Sequence, residues 1–385
     1  MNQPQSLYIH VPFCSHRCGY CDFTLVAGKD HLAEKYLDAL SLEIDRELAR
    51  VINSDSAAHS NLQLDTVFFG GGTPTQLTAQ QLERLCGIVH DRFQLTPETE
   101  FSVEANPAGM TDERITVLAE AGVNRISLGV QSFDDETLTM LERDHRQVDV
   151  FDCVDRVKAR IENISLDLIF AVPGQSLELW ESTLQMAIDL SPMHLSTYGL
   201  TFEKGTAFWT RREKGELPQA AEDLERQMYE VAMSQLAAHD FHQYEISSFA
   251  RSEFRCRHNQ IYWSGKTYFG FGPGAASLLN NERRQNHRSV TTWLNKVLAG
   301  EPATGNVDKL DPESFARELL VLSLRTNDGV KRKTFQERTG FHIADLAGQS
   351  INRLMDQGLL EEVDSTIRLT HEGRLLADTV AGELL

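Results

Sequence analysis

No stretch of this chain approaches the run of about eighteen apolar residues that a membrane-spanning helix needs. Its first residues, Met1-Asn2-Gln3-Pro4-Gln5-Ser6, also lack the basic-then-apolar order of a secretory signal. A cytoplasmic protein without a membrane span is expected, which leaves peripheral membrane association open. Cysteine is scarce, with six in 385 residues. A chain this long can bury ample core in a large domain and a smaller second one, so disulfide staples are not required. Cys86, Cys153 and Cys256 read as free structural thiols of a reducing compartment. Basic residues are in deficit as well: 37 Lys and Arg face 56 Asp and Glu, and the net charge of −19 repels phosphate backbones. General nucleic-acid binding is disfavoured on that ground.

The remaining three cysteines fall within eight positions, Cys14-Ser-His-Arg-Cys18-Gly-Tyr-Cys21. Iron–sulfur clusters are held by cysteine thiolates, usually four, so a compact set of three leaves one iron open for chemistry. The same spacing could place three thiols on one helix face. Pro12 before the group and Gly19 inside it favour an irregular loop that can wrap a cluster.

Residues 7–11 read as a short buried strand delivering that loop, and apolar spacing from His31 to about Ile52 predicts a long amphipathic helix. The unit then repeats. Strands are expected at 66–69, 101–103, 125–130, 164–170 and 194–198, with helices at 79–89, 112–121, on towards Arg160, and from Gln219 to Ala238. Six such signals imply parallel strands with right-handed crossovers and a partial, open (β/α)6 barrel, polar groups clustering at the strand ends. A doubly wound open sheet is the alternative, since periodicity does not show closure. The expected organisation is a barrel over 1–240, a connecting region over 241–309 containing His258-Asn259-x-x-Tyr262-Trp263, and a winged-helix-like α+β domain over 310–385. A DNA-binding use of that last domain is weak, because residues 311–385 carry nine basic and thirteen acidic side chains.

Gly70-Gly71-Gly72-Thr73-Pro74 offers backbone that a small molecule can approach closely, though alone it is equally a tight turn. Glu104 and Asp167 could accept hydrogen bonds from ribose hydroxyls, and Gln131 and Arg143 could fix polar groups. Any one of them could also be a surface residue.

Cys-x3-Cys-x2-Cys followed by Gly-Gly-Gly-Thr-Pro resembles the radical S-adenosylmethionine superfamily. Within it, Tyr8-Ile-His-Val-Pro-Phe-Cys14, Val103-Glu-Ala-Asn-Pro107, Gly129-Val-Gln-Ser-Phe133, Asp167-Leu-Ile-Phe and Leu200-Thr-Phe-Glu resemble the coproporphyrinogen-oxidase-like branch over nearly the whole chain. The resemblance implies that Cys14, Cys18 and Cys21 hold a [4Fe–4S] cluster whose open iron is chelated by S-adenosylmethionine. It also implies that Tyr8, Gly71 and Glu104 contact that molecule. Tyr20, Gly72, Thr73, Gln131, Arg143 and Asp167 match positions around a second S-adenosylmethionine in the oxidase.

Two functions compete inside the branch. One is the oxygen-independent oxidase, which converts porphyrinogen propionates to vinyl groups by radical decarboxylation. The other is a heme chaperone that binds heme and delivers it to respiratory hemoproteins. Three features favour the chaperone: Phe23 stands where the oxidase has a fourth cysteine, only thirteen residues precede Cys14, and His258-Asn259-x-x-Tyr262-Trp263 matches the chaperone's heme motif. His258 is then an expected heme ligand, with Tyr262 and Trp263 packing beside it. Taken by itself, His258 would read as a core histidine bonded to backbone. A reading from another class is a protein-binding module on a dead enzyme scaffold.

Overall fold

In a computed structural model that describes residues 4–51 and 62–385, the alternating strands and helices form one nine-stranded sheet. Its central strands are Ser6–Val11, Gln63–Gly71, Gln94–Ala105, Arg125–Gln131, Asn163–Phe170 and His194–Gly199. Each pairs in parallel with the next, so order in space follows order in the chain. A doubly wound sheet reverses its order at a switch point. No reversal occurs among these six strands, and the partial barrel is the fold. One edge gains a seventh parallel strand, Phe269–Phe271, beside Ser6–Val11. The other edge is finished by antiparallel Ser248–Ala250 and His242–Gln243.

Side-chain alternation along the strands explains why the barrel keeps a polar interior. Leu7, Ile9, Val67, Phe69, Val103, Ile126, Leu128, Leu166 and Leu195 are buried and apolar against the outer helices. Each large side chain so buried contributes roughly 1.5–3 kcal/mol. The alternate set, Thr66, Glu100, Ser102, Arg125, Ser127, Ser165 and His194, is buried and polar and faces the lumen. Parallel strands usually read as unbroken apolar runs because both faces are dry; these do not.

The outer helices include Ala33–Val51, Ala79–His90, Asp112–Glu120, Gln147–Lys158, Leu177–Asp189 and Glu222–Ala237. Thr78 and Gln81 close a capping box on the second, and Thr111 and Ser176 cap two others. The last starts three residues after the expected Gln219. Ile52, the expected end of the first, lies outside the described residues, as do Met1–Gln3 at the start of the expected first domain.

The stretch read as irregular is ordered. It holds the short helix Arg257–Trp263, the strand Phe269–Phe271, and a three-stranded antiparallel sheet, Ala276–Leu279, Glu282–Asn286 and Thr304–Lys309. The C-terminal part has its own core around Leu320, Phe335, Ile351, Ile367 and Val380. Three helices there precede the hairpin Leu360–Val363 and Thr366–Leu369, whose turn residues Asp364 and Ser365 take φ of 49° and 61°. That is winged-helix order. Among the described residues no helix is long and apolar enough to cross a membrane.

Candidate functional site

The six central strands all end on one face, and a cavity of about 950 Å³ opens there. This is the upper end of the range for ligand pockets, roughly 300–1,000 Å³. The loop after the first strand brings Cys14, Cys18 and Cys21 to one wall of it. Arg17 secures that loop by donating to the carbonyls of Cys21, Phe23 and Leu25 at 3.1, 3.3 and 3.0 Å. Arg288 reaches across to the carbonyl of Asp22 at 2.9 Å, and His10 bonds the carbonyl of Thr24 through Nε2 at 2.7 Å.

Cys14 Sγ lies 3.3 Å from Thr73 Oγ1, and Arg143 Nη1 points at Cys18 Sγ from 3.7 Å. Burial pushes the Cys14 thiol up to about 11 and raises that of Cys21. Metal binding at these thiols therefore releases protons at neutral pH. All three cysteines open on one cavity wall, a donor set of thiolates that fits a cluster whose irons are ligated one by one.

The glycine run forms the next wall. Gly71 has φ of 112°, and a Cβ there would meet the His10 ring at 2.6 Å; one on Gly72 would meet the Phe13 carbonyl at 2.7 Å. Only glycine lets this strand end lie against the cysteine loop. The freed Gly71 N–H donates to Glu104 Oε2 at 2.9 Å. Burial, reinforced by the charge of Asp167, pushes the Glu104 carboxyl up to about 7. Asp167 is raised as well, by burial, although Ser127 donates to it at 3.0 Å. Two buried carboxyls facing one lumen resist ionising together.

Gln131 adopts φ of 67°, where the register with the next strand shifts. A non-glycine residue in that region is uncommon and tends to mark functional backbone. Arg143 is locked by donating to Asn106 Oδ1 at 2.6 Å and to the Gly129 carbonyl at 2.8 Å, while Tyr20 sits beside it on the cavity wall. The cavity thus gathers the three cysteines with Tyr20, Gly71, Gly72, Thr73, Glu104, Gln131, Arg143 and Asp167.

Tyr8 and His258 are not on its lining. Tyr8 lies deeper in the lumen, bonded to His10 Nδ1 at 3.1 Å and stacked on Phe68. His258 sits deeper still, on the helix that closes the barrel floor, and is 1% exposed. Its Nδ1 bonds Thr66 Oγ1 and its Nε2 bonds Tyr262 OH, both at 2.8 Å. Phe68 stacks on the ring at 5.1 Å. Burial drives the imidazole down to about 3, so it is neutral. In this conformation both ring nitrogens are committed, by side chains and not by the backbone expected of a core histidine. Glu100 holds the floor helix by accepting from the amides of Arg257 and His258 at 2.8 and 2.9 Å.

Comparisons with known proteins agree with this architecture. Residues 8–187 match the Radical SAM superfamily, and residues 310–376 match the HemN C-terminal domain. Heme chaperone HemW of Bacillus subtilis is 37% identical over 383 residues, covering 99% of both chains. The chain belongs to the HemW family. Heme chaperone HemW of Lactococcus lactis is likewise 37% identical, over 100% of this chain and 98% of its own. The structure of coproporphyrinogen III oxidase (HemN) from Escherichia coli superposes with a TM-score of 0.84 at 23% identity, covering 99% of this chain and 90% of that one. At that identity the likeness speaks for the fold alone.

Against the HemW background two further features gain meaning. Phe23 is 58% exposed at the cysteine end of the cavity. The opposite end is walled by the C-terminal domain through Arg325, Arg374, Leu375 and Leu376. Neither arginine carried any signal in the sequence, because nothing in local spacing tells which C-terminal side chains fold back onto a barrel. Asn106, which positions Arg143, was visible only within Val103-Glu-Ala-Asn-Pro107, and Ser127, which donates to Asp167, carried no signal of its own.

Proposed function

We propose that this protein is a heme chaperone: it carries a [4Fe–4S] cluster ligated by S-adenosylmethionine, binds heme, and passes it to respiratory hemoproteins. The observation that supports this best is one continuous cavity in a chain matching HemW proteins end to end. Three thiols stand at one end of it and an arginine-bearing wall from the C-terminal domain at the other. Cys14, Cys18 and Cys21 would hold the cluster, and its open iron would supply a chelation site for the amino and carboxylate groups of S-adenosylmethionine. Around that site, Gly71 and Gly72 give the backbone room for close approach, Glu104 and Asp167 present acceptors to hydroxyls, and Arg143 supplies a fixed cation. Tyr20, Thr73 and Gln131 complete the contact surface, with Tyr8 supporting it from below through His10.

The floor helix carries the heme motif, and ligation by His258 requires the Tyr262 hydroxyl to leave Nε2. Tyr262 is then a latch on the imidazole, and Trp263 on the same helix faces the C-terminal domain, where its ring lies under Arg325. Phe23 supports the chaperone reading over the oxidase, since an exposed ring replaces a thiol beside the cluster site. The discriminating assay supplies coproporphyrinogen III, reductant and S-adenosylmethionine to cluster-loaded protein without oxygen. Only background decarboxylation is expected; conversion to the divinyl product at a catalytic rate would establish the oxidase instead.

A further inference from the structure

The wall that the C-terminal domain contributes to the cavity contains a pair of cations outside the contacts proposed for the cluster and S-adenosylmethionine. Arg325 and Arg374 both line the cavity, and the Nε of each is buried without a hydrogen-bond partner among the described residues. A guanidinium has five donors and binds carboxylates in a planar, two-point manner, so an unmet buried Nε is an open half of such a fork. Arg226 lines the same end, but it is occupied by Glu230 and Glu372 at 3.1 and 2.7 Å. Among the described residues Arg325 has one ion-pair contact, at 3.6 Å to the almost wholly exposed Asp378, and its charge also reaches the buried Glu245. The facing helix presents Glu222, Asp223 and Glu225, so an anion has no other hospitable place on this side.

Arg325 is also aimed. Its guanidinium lies 5.0 Å from the centre of the Trp263 ring, within reach of a cation–π contact. Its backbone carbonyl accepts from the Ile246 amide at 3.2 Å, which ties it to the segment leading to the floor helix. Trp263 therefore acts as a positioning residue for the arginine. It lies five positions beyond His258, or about 7.5 Å along a helix at 1.5 Å per residue. On the same wall Leu375 and Leu376, with Phe170 of the barrel, give the cavity apolar surface.

We propose that Arg325 and Arg374 form a carboxylate subsite that grips the propionate groups of a tetrapyrrole, with Trp263 holding Arg325 in place. The subsite rests on the heme-chaperone reading and adds an anchor to it. It sets the propionates against the C-terminal wall of the cavity, apart from the residues proposed for the cluster and S-adenosylmethionine.

The test compares heme with its dimethyl ester, which keeps the macrocycle and the iron but removes both charges. Binding to the anaerobically reconstituted protein is followed by the Soret band. The wild type should bind the free acid tighter by about tenfold to a hundredfold, the range of a hydrogen bond to a charged group. Arg374→Gln and Arg325→Gln should lower the affinity for heme towards that for the ester. Their affinity for the ester and their cluster absorbance should stay unchanged, which certifies the fold. Trp263→Ala should shrink the acid–ester difference, and Trp263→Phe should restore it. Equal binding of acid and ester by the wild type overturns the subsite while leaving the chaperone reading intact. So does loss of S-adenosylmethionine binding in Arg374→Gln with heme binding untouched, because the carboxylate held there would then belong to the other ligand. Failure of the wild type to bind either porphyrin overturns the chaperone reading and the subsite together.

Discussion

Cys14, Cys18 and Cys21, the proposed cluster ligands, have no substitute among the other cysteines of the chain. Cys86, Cys153 and Cys256 are buried elsewhere, and burial pushes all three thiols up to about 12, so they stay protonated and inert. Substituting Ala at Cys14, Cys18 or Cys21 should remove the cluster, whereas Ser at Cys86 or Cys153 should leave it. Iron and sulfide analysis decides: full content in the Cys18 variant, or none in the Cys153 variant, contradicts the assignment. His258 tests a different contact. Removing the Tyr262 hydroxyl with Tyr262→Phe frees Nε2 and should tighten heme binding, while His258→Ala should weaken it and shift the Soret band with cluster absorbance intact. An unshifted band in His258→Ala would leave the residue a structural part of the floor.

Elements in this protein are joined by buried carboxylates, and one of them makes stability depend on pH. Glu43, on the helix Ala33–Val51, accepts from the Gly272 amide at 3.0 Å and from Asn286 Nδ2. It thereby fastens the first outer helix to the strand and turn that finish the barrel edge. Burial outweighs these bonds and pushes its carboxyl up to about 7 from 4.5. A raised acid favours the folded state fully below the unfolded value near 4.5, and this contribution is lost as pH rises through about 7. At 1.36 kcal/mol per pK unit, the wild type should lose on the order of 3 kcal/mol between pH 4.5 and 8 through this group. Urea unfolding of Glu43→Gln should show a flatter pH profile over that window; parallel profiles would refute the assignment. The strand–helix alternation was legible because each outer face is apolar at period two or 3.6. The strand Phe269–Phe271 was not, since Gly270, Gly272, Pro273 and Gly274 give that segment turn chemistry and the strand pairs in parallel with distant Ser6–Val11.

At the scale of the whole molecule, local motifs named the cluster end of the cavity, and the tertiary fold alone created the other end. Cys14, Gly71, Glu104, Gln131 and Asp167 were readable because Cys14 follows a strand and the others lie in the C-terminal halves of strands, whose ends converge in a parallel barrel. Arg325 and Arg374 were unreadable because their position depends on how a separate core docks beside the barrel. His258 was readable as a motif with Tyr262, yet its burial at the floor follows also from Glu100 and Thr66, two residues with no local link to it. The polar lumen running from floor to mouth, through His258, Tyr8, Glu104 and Asp167, gives the two ends of the protein a shared interior.

That arrangement makes a claim about independence: one chain holds a cluster at the cysteine end and a heme at the other, without competition. Optical titration of heme into cluster-loaded protein under anaerobic conditions measures it most directly. The account predicts saturation at one heme per chain, with iron–sulfur absorbance unchanged and the same heme affinity in Cys18→Ala. Heme that displaces the cluster, or heme binding that vanishes with Cys18, would contradict it.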